Sequence, residues 1–96
     1  MSLFLVLACT ADVDPEQLDA ILALEGDPDA GDSLFVEDCE GCHGPGGDGS
    51  ASAVALEGGD SEGTADALLA GPGVMPSFAD ESDQDLADLV AYVDEL

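Results

Sequence analysis

The sequence predicts a small all-α domain, and three observations carry that prediction. Apolar residues recur at helical spacing in several short stretches; two of those stretches open with the same Asp-Pro pair; and no run alternates apolar and polar residues in the manner of a strand. The first stretch, DPEQLDAILALEG, offers Asp14 as an N-cap, Pro15 at the first helical position, Leu18, Ile21 and Leu22 on one face, and Gly26 as a stop. The second repeats the pattern: Asp27 caps, Pro28 starts, and Gly31, Leu34 and Phe35 share a face that runs into the first of two clustered cysteines. From Gly44 to Gly63 glycine, serine and acids dominate, which predicts loop. Ser61 or Thr64 then caps a short helix over residues 65–70 that ends at Gly71, and PGVMPSF is irregular because prolines and glycines crowd it. The last stretch pairs Ser82 with Asp85 in a capping-box-like arrangement and sets Leu86, Leu89, Val90 and Val93 at i, i+3, i+4 and i+7, the strongest helical signal in the chain.

Composition bounds what such a domain can do. With 96 residues the chain has room for one core, and three Phe, one Tyr and no Trp leave Ala, Leu and Val to fill it. A tightly held cofactor would supply the missing apolar volume. The 23 acidic residues face no Lys and no Arg, so the formal charge of −23 has no side-chain cation to offset it other than a protonated histidine. Self-repulsion of this kind opposes compaction and is screened by salt, which predicts salt-assisted folding. It also excludes nucleic acid as a partner. Acidic stretches such as GDPDAGDS lack the spacing of a calcium loop and read as solvated charge.

The chain opens MSLFLVLACTAD, apolar from Leu3 to Ala8 and polar from Asp12, and this run is too short to span a bilayer. VLAC resembles the lipobox of bacterial lipoproteins, which would make Cys9 the lipid-modified first residue of a mature, membrane-anchored chain. The apolar run is only six residues and no positive charge precedes it. The competing reading keeps residues 1–11 as a structural segment with Cys9 an ordinary thiol.

The chemistry lies in VEDCEGCHGPGG. On a helical turn, steps of about 100° put Cys42 and His43 within about 60° of Cys39, so two thiols and an imidazole share one face. C-x-x-C-H is the attachment signature of c-type haem. Each thiol adds across one vinyl group, sulfur to one carbon and hydrogen to the other, and the imidazole ligates the iron. A closed structural zinc site would need a fourth ligand, with Cys9 the one remaining cysteine, and a redox C-x-x-C needs a βαβ frame that the pattern lacks.

From about Gly26 to Leu96 the chain resembles the bacterial class I monohaem cytochromes c. The resemblance rests on CEGCH at residues 39–43, on GVMPSF at residues 73–78, and on Gly31 and Phe35 opposite Leu89 and Tyr92. It implies a small cytochrome c fold of three to five short helices around one covalently attached haem. Cys39 and Cys42 would be the tethers, and His43 and Met75 the axial ligands. It further implies that the first and last helices of the domain cross at Gly31. The chain then divides into a signal- or lipobox-like segment, residues 1–11, an acidic linker or short helix, residues 12–26, and the cytochrome domain, residues 27–96. One family feature is missing: Ala55 stands where a proline usually precedes the leucine, here Leu56, of the segment whose carbonyl orients the histidine.

With both axial positions filled by side chains, the resemblance implies an electron carrier and not an enzyme. The cofactor is haem c, and the acidic surface selects an electropositive redox partner, be it an oxidase, a reductase or another cytochrome. The acids also favour the ferric state, so salt is expected to raise the midpoint potential. The alternatives are a five-coordinate haem enzyme or gas sensor, in which Met75 is displaced, and a structural subunit of a larger electron-transfer assembly. Haem attachment in this family takes place outside the cytoplasm, which implies a periplasmic or other extracytoplasmic location.

Overall fold

A computed structural model describes residues 13–49, 56, 58–71, 75 and 77–96. Its elements are α1 (Pro15–Ala23), α2 (Pro28–Asp38), the single-turn α3 (Glu40–His43), α4 (Ser61–Ala70) and α5 (Asp83–Asp94), with a 3-10 turn at Pro45–Gly47. Among the described residues there is no strand, and no helix is long and apolar enough to cross a membrane. This is the all-α architecture expected, compatible with a small cytochrome c fold.

Each Asp-Pro pair starts a helix for the same reason. Proline removes one of the orphan N–H groups of the first turn, and the preceding carboxylate accepts from the next one: Glu16 N–H donates to Asp14 Oδ1 at 2.9 Å, and Asp29 N–H to Asp27 Oδ1 at 2.9 Å. At the other end α1 stops at Ala23, capped by Leu24, so Gly26 is not its stop signal. Gly26 is required by packing instead. A Cβ there would lie 2.7 Å from the Ala87 carbonyl carbon and 2.9 Å from Ala91 Cβ, because the α1–α2 linker passes directly over α5.

α4 also differs from the expectation at its start. Its N-cap is Asp60, not Ser61 or Thr64, and Gly63 N–H donates to Asp60 Oδ1 at 2.9 Å. A carboxylate beside the positive end of the helix dipole outcompetes the hydroxyls that follow it, and the helix begins four residues before Ala65. The Ser82 cap of α5 is as expected, with Asp85 N–H donating to Ser82 Oγ at 3.1 Å.

The core is the seam where α2 and α4 meet α5. Phe35, Leu69, Leu86 and Ile21 are the largest fully buried side chains, and each stabilises the fold by roughly 1.5–3 kcal/mol through removal of apolar surface from water. α2 crosses α5 at Gly31, where a Cβ would sit 2.9 Å from Tyr92 Cβ, and the Phe35 and Tyr92 rings meet with centroids 5.0 Å apart and planes inclined by 45°. The glycine-and-aromatic crossing implied by the resemblance is therefore present. It fixes α2, and with it the cysteine motif at the C-terminal end of α2, against the last helix.

Candidate functional site

α2 ends at Asp38, and the next residue leaves helical geometry: Cys39 is the C-cap, with φ −120° and ψ −30°, its N–H donating to Phe35 O at 2.8 Å. The chain then makes one further turn as α3, with His43 N–H donating to Cys39 O at 2.9 Å. Cys39 and His43 are thus one hydrogen-bonded turn apart across a kink, not on a straight helix. Cys42 belongs to α3 between them, its side chain lying outside the described residues. Gly44, at φ +83°, reverses the chain immediately after the histidine, and Gly49 N–H closes the reversal by donating to His43 O at 2.6 Å.

Cys39 and His43 open onto a cavity of about 310 Å³. Phe35 of α2 and Leu89 and Val93 of α5 form one part of its wall; Gly63, Thr64, Ala67 and Leu68 of α4 form another; Leu56, Asp60 and Met75 complete it. Apart from Asp60, Thr64 and His43 the lining is apolar or sulfur-bearing. Three of the residues singled out from the sequence, Cys39, His43 and Met75, therefore converge on one space although Met75 is distant in the chain. Cys9, like all of residues 1–12, lies outside the described residues, and so does Ala55.

Met75 is brought there by the end of α4. The last carbonyls of a helix lack intrahelical partners, and here two of them accept from the segment just after Met75: Ser77 Oγ donates to Leu69 O at 2.6 Å and Phe78 N–H to Leu68 O at 2.7 Å. Gln17 Nε2 of α1 donates to Ala79 O at 2.9 Å and holds the same segment from the other side. None of these three bonds was evident in the sequence, because each ends on a backbone carbonyl that only the fold brings near. The cavity wall left a partial trace there, since Thr64 with Leu68 and Leu89 with Val93 are i, i+4 pairs.

His43 packs beside Phe35, ring centroids 6.5 Å apart and planes inclined by 37°. Its Nδ1 is buried and has no hydrogen-bond partner among the described residues. A buried polar atom left in that state costs about 1–3 kcal/mol, so the imidazole is set up for a group the described chain does not supply. Among the described residues no three His, Cys, Asp or Glu side chains cluster to hold a metal ion. An apolar cavity offering an imidazole, a thiol and a thioether fits a haem in donor chemistry and in polarity.

A domain helical among its described residues, whose C-x-x-C-H motif sets Cys39 and His43 on such a cavity, is that of a c-type cytochrome, whose cofactor is haem c and whose role is electron transfer. Residues 26–93 match the family model described as cytochrome c oxidase, cbb3-type, subunit III, and the chain belongs to that family. No curated protein and no solved structure matches the chain.

Proposed function

We propose that this chain is a class I monohaem electron carrier and not an enzyme, with Cys39 and Cys42 as the thioether tethers and His43 and Met75 as the axial ligands. The observation that carries the reading is the convergence of Cys39, His43 and Met75 on one largely apolar cavity. Haem bound there supplies a one-electron iron couple. His43 and Met75 would hold the iron as its two protein ligands, and an iron so held would offer no site to a substrate. Phe35, Leu68, Leu89 and Val93 exclude water from the cavity, and the uncharged thioether of Met75 favours the ferrous state.

The partner follows from charge and family. A surface with no Lys and no Arg is steered toward an electropositive face, and the family description supports an oxidase complex as the bearer of that face. Cytochromes of the c type are generally extracytoplasmic, which supports the same location here, with Cys9 as the lipid-bearing residue if the lipobox-like segment is processed.

The test is the ferric spectrum. The wild type is expected to show the weak far-red band that marks iron–methionine ligation, and Met75→Ala is expected to lose it and to have a lower midpoint potential. A wild type without the band, or a Met75→Ala variant that keeps it, would overturn the assignment and favour the five-coordinate enzyme or sensor.

A further inference from the structure

We propose that Asp88 is an interior charge that lowers the reduction potential of the haem iron independently of salt, a role that rests on the electron-carrier reading. Of the 23 acidic residues, Asp88 is the one buried among the described residues, at 6% exposure. Its Oδ1 accepts from Asp27 N–H at 2.8 Å and from Gln84 Nε2 at 3.0 Å, and Gln84 Nε2 also donates to Glu25 O at 3.2 Å. Every donor is neutral, and the chain holds no Lys or Arg to pair with the carboxylate. Backbone and amide dipoles face the carboxyl oxygen, and no side-chain cation cancels its formal charge.

Its carboxylate faces the α1–α2 linker, on the helix that presents Leu89 to the cavity, so its charge acts on the site through the protein interior and not by contact. Asp88 immediately precedes Leu89, which lines the cavity, and stands one turn before Tyr92, whose ring packs on Phe35, which in turn packs on His43. Among the described residues the other acids near the site, Asp60 of the cavity rim included, are exposed to solvent, where the Debye length falls from about 8 Å at physiological ionic strength to about 3 Å at 1 M salt. A charge inside the protein escapes most of that screening. Ferric iron carries one more positive charge than ferrous iron, so Asp88 stabilises the oxidised state in dilute and in concentrated salt alike.

The carboxylate also ties the α1–α2 linker to α5, so its charge must be separated from that mechanical role. Asp88→Asn keeps an oxygen that accepts from Asp27 N–H and removes the charge; Asp88→Ser does the same with a smaller side chain; Asp88→Glu keeps the charge. The exposed Glu37, near the motif, provides Glu37→Gln as a surface control. Spectroelectrochemical titration of the haem-loaded proteins should show the ferrous-to-ferric ratio at fixed potential rising roughly fourfold or more in the Asn and Ser variants, as Coulomb's law gives at an effective dielectric of about 20 for a separation no greater than the 21 Å shortest extent of the domain. That shift should persist at roughly 1 M NaCl, while the shift in Glu37→Gln collapses and Asp88→Glu stays near the wild type. An unmoved midpoint in Asp88→Asn, a shift that vanishes in salt, or an equal shift in Asp88→Glu would each overturn the proposal. The reduced-minus-oxidised infrared spectrum of the wild type should contain a carboxylate band that survives high salt and is missing from Asp88→Asn, which separates it from the haem propionates, and identical carboxylate bands in the two proteins would overturn the proposal. Failure of the wild-type chain to show a haem spectrum would sink the electron-carrier reading, whereas a haem spectrum with an unmoved midpoint sinks only the role of Asp88.

Discussion

Replacing Gly31 by alanine tests whether the crossing of α2 over α5 holds the cofactor-bearing helix in place. The added Cβ would lie 2.7 Å from the Asp88 carbonyl carbon and 2.9 Å from Tyr92 Cβ, against about 3.5–4.0 Å for an ordinary carbon contact. The opposing atoms are backbone and the root of a side chain, so neither yields by rotation, and the helices must separate by about 1 Å. A radial gap of that size forfeits a quarter to a half of each dispersion contact across the seam, where Phe35 is only 1% exposed. Overpacking in a well-packed core costs about 1–3 kcal/mol, and an unyielding backbone places this substitution at the upper end, about 3 kcal/mol. For a domain of this size that lowers the melting temperature by about 12–24 °C. Gly41→Ala is the control: nothing lies within 4 Å of its added Cβ, and in the helical turn alanine should be neutral or stabilising by up to about 1 kcal/mol. The assay is thermal melting of the haem-loaded proteins followed by far-ultraviolet circular dichroism. A Gly31→Ala protein melting within about 2 °C of the wild type would refute the claim that backbone approach at this crossing is tight.

Two further outcomes follow from caps and charge. Asp60→Ala removes the acceptor for Gly63 N–H and should cost about 1 kcal/mol, read as a lower urea midpoint with an unchanged slope, while Asp60→Asn should retain most of the stability. Because 23 acids face no Lys or Arg, NaCl should raise the melting temperature by several degrees as the Debye length falls from about 8 to about 3 Å, and the midpoint potential of the haem should rise with it. A melting temperature flat in salt would contradict the first effect, and a constant or falling midpoint the second.

Local signals in the sequence foretold what local chemistry decides. Asp14-Pro15 and Asp27-Pro28 start helices because cap and proline act within three residues, and the period of Leu86, Leu89 and Val93 marked the buried face of α5. Cys39 and His43, which meet at the cavity, were marked by the C-x-x-C-H spacing, and the crossing at Gly31 by the resemblance to the cytochromes c. The misreadings share a cause. Gly26 looked like a helix stop because its real constraint, the Ala87 carbonyl, is more than sixty residues away in the chain. Asp60 was hidden by two hydroxyl caps just after it, and nothing singled out Asp88, because the Asp27 N–H that meets its carboxylate is sixty-one residues away in the chain. The kink at Cys39 was equally invisible, since helix propensity does not fix the residue at which one helix breaks and the next begins.

The central claim is that one haem is fastened to this chain through Cys39 and Cys42, and the intact mass of denatured protein, purified from cells able to mature c-type cytochromes, tests it most directly. The predicted result is the mass of the chain plus a single haem, surviving acid and organic extraction in the wild type and lost when both cysteines are replaced by alanine. The bare mass of the polypeptide, or a haem that washes out on denaturation, would contradict the account.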